Sequence, residues 1–139
     1  MGDSLKSSDD MAGKFILLVD DTYFNLFALK LCLQHLGHRV ETAQSGQEAI
    51  NHCKDKIFDL VLLDIQMPDM DGPEVLGKIR ALYPHYNKVP VAAVSAEDTE
   101  ITEQIAEQCG MFYTLPKPHT VEQLQECIAA TDKWISEEN

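Results

Sequence analysis

Leu60-Val61-Leu62-Leu63 runs directly into Asp64-Ile65-Gln66-Met67-Pro68-Asp69-Met70-Asp71-Gly72, and this junction decides how the chain folds. Four successive apolar residues suit a strand buried on both faces, as in a parallel sheet. The Pro- and Gly-bearing stretch after it reads as a loop, with an acid at the point where strand gives way to loop.

Outward from this junction, from Lys14 onward, short apolar runs alternate with helical patterns. Phe15–Val19, Arg39–Ala43, Leu60–Leu63, Val89–Val94 and Phe112–Leu115 read as strands. Ser45 with Glu48, and Thr120 with Gln123, fit the capping box, in which each side chain satisfies a backbone donor of the other residue. Gly37 ends the first helix, Pro73 suits the first turn of the third, and Pro84 stops it. Five strands, each followed by a helix, predict a doubly wound α/β sandwich with right-handed crossovers and helices on both faces.

Composition bounds the function. The 139 residues, 45% of them hydrophobic, suffice for one ordinary core. Residues 1–13 are polar and aperiodic and read as a disordered leader, which leaves 14–139 as a single domain. With 11 basic against 23 acidic residues the net charge is −12, which repels a phosphate backbone and argues against direct nucleic-acid binding. No apolar run reaches the roughly 18 residues of a membrane helix, and the N-terminus lacks a secretory pattern, so a cytoplasmic protein is expected. Cys32, Cys53, Cys109 and Cys127 lack C-x-x-C spacing and fall in helical segments, which favours reduced thiols over a disulfide or zinc framework. His35, His38, His52, His85 and His119 show no metal-ligand spacing and read as surface or loop residues.

In open α/β sheets ligands bind at the carboxyl ends of the strands, so the polar residue next after each apolar run carries the chemistry. Asp20 and Asp21 follow the first strand, Asp64 the third, Ser95 the fourth and Lys117 the fifth. Three converging carboxylates repel one another and call for a hard, oxygen-preferring cation such as Mg²⁺. A carboxylate can attack phosphorus once charge on the transferring oxygens is neutralised, with a lysine and a serine as further donors.

Taken together, Asp20-Asp21, the Asp64–Gly72 segment, Val94-Ser95-Ala96 and Pro116-Lys117-Pro118 resemble the response-regulator receiver family, over Lys14 to about Ser136. The resemblance implies the flavodoxin-like strand order 2-1-3-4-5 and a signalling phosphoacceptor, not an enzyme, that assists its own phosphorylation and dephosphorylation. It casts Asp64 as phosphoacceptor and metal ligand, Asp21 as direct ligand, Asp20 as holder of a metal-bound water, and the Gln66 carbonyl as a further ligand. Ser95 and Lys117 would bind phosphoryl oxygens, and a cis peptide is implied between Lys117 and Pro118. The stretch Val19–Asn25 resembles receivers of hybrid sensor histidine kinases, so the implied donor is a histidine kinase or histidine phosphotransfer protein.

Two features depart from the family pattern. Thr114 stands where many receivers carry Tyr or Phe, with Tyr113 on the opposite face by strand alternation. In the first helix Ala28, Leu29, Cys32, Leu33 and Leu36 form a core stripe, which turns Leu26, Phe27 and Leu31 away from it. Phe27, Leu31 and Tyr23 then make an exposed apolar surface suited to docking the phosphohistidine partner. Three rivals are weaker. A phosphohydrolase needs an acid where Gln66 stands. A flavin module lacks its Gly-rich phosphate loop, and a silent scaffold would not need all five chemical positions filled.

Overall fold

The structure is a computed structural model and describes residues 13–96 and 98–138. The expected leader, residues 1–13, lies outside the described residues except for Gly13.

Strands β1 (Phe15–Val19), β2 (Arg39–Ala43), β3 (Leu60–Asp64), β4 (Val91–Ser95) and β5 (Tyr113–Pro116) alternate with helices α1 (Tyr23–His35), α2 (Gly46–Asp55), α3 (Gly72–Leu82), α4 (Thr99–Cys109) and α5 (Val121–Glu138). A short 3₁₀ turn, Pro84–Lys88, links α3 to β4. The strands form one parallel sheet in the order β2-β1-β3-β4-β5. Every residue of β3 and β4 is buried, as their unbroken apolar character requires of central parallel strands.

Strand alternation divides the core in two. Leu17, Val19, Val61, Leu63, Val91 and Ala93 face α2, α3 and α4, meeting Ala49, Cys53, Val75, Ile79 and Ala106. Ile16, Leu18, Leu60, Leu62, Ala92, Val94 and Leu115 face α1 and α5, meeting Leu26, Leu33, Leu124 and Cys127. Tyr113 packs on this second side, where burial, then Cys127 and Glu126, push its phenol up, while Thr114 lines a groove with Glu103 and Ala106.

The capping signals hold. Thr120 and Gln123 bond reciprocally, N–H to side-chain oxygen, at 2.8 and 3.0 Å. Ser45 Oγ accepts the Glu48 N–H at 3.1 Å, while Glu48 returns its bond one residue early, to the Gln44 N–H. Gly37 takes φ 99°, and the N–H groups of Gly37 and His38 bond Gln34 and Leu33 carbonyls, the two-bond Schellman closure of α1.

Two expectations are corrected. Leu26 is buried, not turned outward, and Ala28 is exposed; the buried line of α1 runs through Leu26 and Leu33, two turns apart, with Leu29, Cys32 and Leu36 only partly covered. Apolar residues surround this helix, so its pattern alone does not select the face; packing against the sheet does. His38 lies in the loop after α1, one of the two placements expected of it, and is buried there rather than on the surface. It follows the α1 closure directly, and its Nδ1 accepts the Lys14 N–H at 3.1 Å at the start of β1.

All four cysteines are free, and burial pushes the Cys53 and Cys127 thiols up to about 11 and about 12. Among the described residues no helix is long and apolar enough to cross a membrane.

Candidate functional site

The carboxyl edge of the sheet gathers the predicted residues because parallel strands all end on the same side. Asp20 continues β1 by one residue, its N–H bonded to the Ala43 carbonyl at 3.1 Å. Its Oδ1 accepts the Thr22 N–H at 2.8 Å, a local turn that starts α1 in place of a Thr22 side-chain cap. Asp64 and Ser95 are the last residues of β3 and β4, one position inside the strands, and both are almost fully buried. The Lys117 N–H bonds the Ser95 carbonyl at 2.8 Å, carrying the β4–β5 register one step beyond the sheet. A cis peptide joins Lys117 to Pro118.

The side chains meet at Lys117. Its Nζ lies 2.7 Å from Asp20 Oδ2 and 2.8 Å from Asp64 Oδ2. The other Asp64 oxygen, Oδ1, accepts the Gln66 N–H at 2.9 Å. Asp21 is exposed at the rim, and one oxygen from each of Asp20, Asp21 and Asp64 lies within 4.8 Å of the others. Gln66 enters the site through its backbone N–H, which orients the Asp64 carboxylate.

The electrostatics are lopsided. Burial alone would depress Lys117, but its bonds to Asp20 and Asp64 outweigh that and hold the ammonium above its ordinary range. Burial pushes the Asp64 carboxyl up, and the nearby Asp20 charge adds to the push, while Lys117 and the Gln66 N–H pull it down without prevailing. One ammonium therefore under-serves these acids. A second, divalent positive charge fits the donor set, because carboxylate oxygens at such separations suit a small hard cation that keeps some waters. Asp20, Asp21 and Asp64 could hold it.

Three features escaped the sequence reading. Asp20 is paired directly with the lysine. Phe24, 75% exposed, joins the apolar patch of α1, and spacing of four from Tyr23 to Phe27 to Leu31 passed over it. His119 bonds across the lysine-bearing loop, and the proline on each side of Lys117 was the available signal.

A parallel 2-1-3-4-5 sheet with an aspartate cluster and a lysine at its carboxyl edge defines a class of α/β signalling domains. Residues 16–129 match the response regulator receiver domain, and the chain belongs to that family, which serves two-component systems. It is 34% identical over 121 residues to the sensor protein GacS of Pseudomonas syringae pv. syringae, covering 86% of this chain and 13% of that protein. It is 36% identical over 113 residues to the histidine-protein kinase BarA of Escherichia coli K12, covering 81% of this chain and 12% of that protein. The chain thus spans about an eighth of these relatives. Among solved structures, chemotaxis protein CheY4 of Vibrio cholerae aligns with TM-score 0.78 at 28% identity, covering 84% of this chain and 97% of that one. The receiver domain of a Pseudomonas aeruginosa PAO1 sensor histidine kinase aligns with TM-score 0.76 at 30% identity, covering 89% and 98%. That structure has a magnesium ion in its active-site cleft.

Proposed function

We propose that the domain accepts a phosphoryl group on Asp64 from a phosphohistidine of a kinase or phosphotransfer protein in the cytoplasm, with Mg²⁺ as cofactor, and so switches or relays a signal. The observation that carries this reading is the Lys117 ammonium bridging Asp20 and Asp64 beside Asp21. Asp21 and Asp64 would hold the ion, with Asp20 through water and Gln66 through its carbonyl. When bound, Mg²⁺ neutralises charge on the transferring oxygens.

The remaining work falls to the chain. The Gln66 N–H fixes Asp64 Oδ1 and Lys117 steadies Oδ2, so the carboxylate is held in one orientation before the donor arrives. A carboxylate oxygen attacks phosphorus, the O–P bond forms as the donor's N–P bond breaks, and that electron pair stays on the imidazole nitrogen. Lys117 and Ser95 then bind phosphoryl oxygens.

The donor docks on the exposed face of α1. Tyr23 and Phe27 stack with ring centroids 6.2 Å apart, and Tyr23, Phe27 and Leu31 are 65%, 48% and 50% exposed beside the acidic rim. This is a contiguous apolar patch of the kind that marks partner sites. The test is incubation with Mg²⁺ and acetyl phosphate, read by intact mass. Wild type should gain one phosphoryl group and Asp64→Asn none; a gain that persists in Asp64→Asn refutes the assignment.

A further inference from the structure

The loop that delivers Lys117 has few means of holding its shape. In Pro116-Lys117-Pro118-His119 the two prolines contribute no N–H. The Lys117 N–H is committed to the Ser95 carbonyl at 2.8 Å. Beyond the loop the chain is anchored again by the reciprocal Thr120–Gln123 cap that starts α5. Between these anchors, His119 Nδ1 lies 3.1 Å from the Pro116 carbonyl oxygen, closing the loop across the residue whose amine reaches Asp20 and Asp64. A carbonyl only accepts, so Nδ1 must carry the hydrogen, and the other ring nitrogen, Nε2, is then bare in the neutral ring.

We propose that His119 is a positioning residue for Lys117. Its Nδ1–H fastens the Pro116 carbonyl and so holds the amine on the acceptor carboxylate during phosphoryl transfer. The ring touches neither Asp64 nor the incoming phosphorus; it acts through the loop. This inference rests on the phosphoacceptor reading of Asp64.

Two measurements test it. The first is the ¹⁵N spectrum of His119 above the ordinary titration range of imidazole, which requires no phosphoryl chemistry. The Nδ1–H tautomer is expected; the Nε2–H form overturns the proposal. The second is the rate of Mg²⁺-dependent phosphorylation by acetyl phosphate in wild type, His119→Ala and His119→Asn. Asn places an N–H donor at the same distance along the side chain as Nδ1. His119→Ala should be about fivefold slower than wild type, the weight of one ordinary hydrogen bond, with Mg²⁺ affinity unchanged, and His119→Asn should restore most of the rate. A wild-type rate in His119→Ala, or an Asn variant as slow as the Ala variant, refutes positioning by this bond. If wild type itself takes no phosphoryl group, the reading of Asp64 fails instead, and the tautomer still decides whether the loop is tied as described.

Discussion

Replacing Gly72 with alanine should strain the joint from which Asp64 leaves the sheet. Gly72 is buried at the start of α3, and its N–H bonds the Ile65 carbonyl at 3.2 Å, so the β3–α3 loop folds back onto its own origin. A Cβ at this position would sit 2.7 Å from Ile65 Cα and 3.0 Å from the Asp64 carbonyl oxygen. Both obstacles are backbone and cannot rotate aside, so the loop must shift by several tenths of an ångström. Overpacking of this kind costs about 1–3 kcal/mol. The gain in helix propensity recovers a fraction of about 1 kcal/mol, leaving a net loss near 1–2 kcal/mol and a melting temperature lower by about 3–8 °C. Gly77 is the control. It lies exposed in the same helix, and nothing stands within 4 Å of its added Cβ. Gly77→Ala should therefore stabilise by up to about 1 kcal/mol. Thermal unfolding of both variants, with phosphorylation by acetyl phosphate as a second readout, separates the two effects. Gly72→Ala should also transfer more slowly, whereas Gly77→Ala should match wild type. A Gly72→Ala protein as stable and as fast as wild type would show that the joint yields freely, against the close approach described here.

Phe27→Ala should slow transfer from a phosphohistidine partner by roughly thirtyfold, the equivalent of about 2 kcal/mol for a buried interface aromatic, and leave phosphorylation by acetyl phosphate unchanged; equal partner rates would remove α1 as the docking face. Asp21→Ala, which removes an exposed acid crowding two others, should raise the metal-free melting temperature while abolishing most Mg²⁺ binding. Asp20→Ala should not be stabilising, because Asp20 holds both Lys117 and the Thr22 N–H, and a metal-free gain equal to that of Asp21→Ala would contradict this. Burial first, and then Lys14, lower the pKa of His38 from 6.5. Its contribution to stability is therefore fully present above 6.5 and lost as pH falls through the folded-state value, since the unfolded chain binds the proton first. Urea denaturation at a series of pH values should show this slope in wild type and a weaker one in His38→Gln.

Most of the sheet was legible because central parallel strands carry no polar face: β1 is apolar throughout, and β3 and β4 are apolar up to the Asp64 and Ser95 that end them, as strands buried on both faces require. The strand-end acids were legible for a related reason, since a parallel sheet sends every strand's end to the same edge. The face of α1 was not. Leu26, Phe27, Ala28, Leu29, Leu31, Cys32, Leu33 and Leu36 surround the helix, and choosing the buried line requires the register of α1 against β1 and α5, which local periodicity does not contain. The partnering of Lys117 was also out of reach. Its bond to Asp64 spans 53 residues, and only the crossovers that order the strands bring the two together.

Charge accounting links these acids to the proposed chemistry. Asp20, Asp21 and Asp64 bring three negative charges to the sheet edge and Lys117 one positive, so 3 − 1 leaves two negative charges in the pocket. A divalent cation would balance that remainder and would favour the ionised form of Asp64 that burial disfavours, as the proposed nucleophile requires. Phosphorylation then exchanges one carboxylate charge for the roughly two charges of a phosphoryl group, on the ordinary scale of a phosphate at neutral pH. In the proposed phosphoaspartate the added charge would fall on oxygens beside the same lysine, and Lys117 would give up part of its hold on Asp20 and Asp64 to meet them. A switch built this way needs no large motion at its centre. It would shift one ammonium from Asp20 and Asp64 toward the phosphoryl oxygens, and the proposed tie in the loop that carries the ammonium would set how readily that happens.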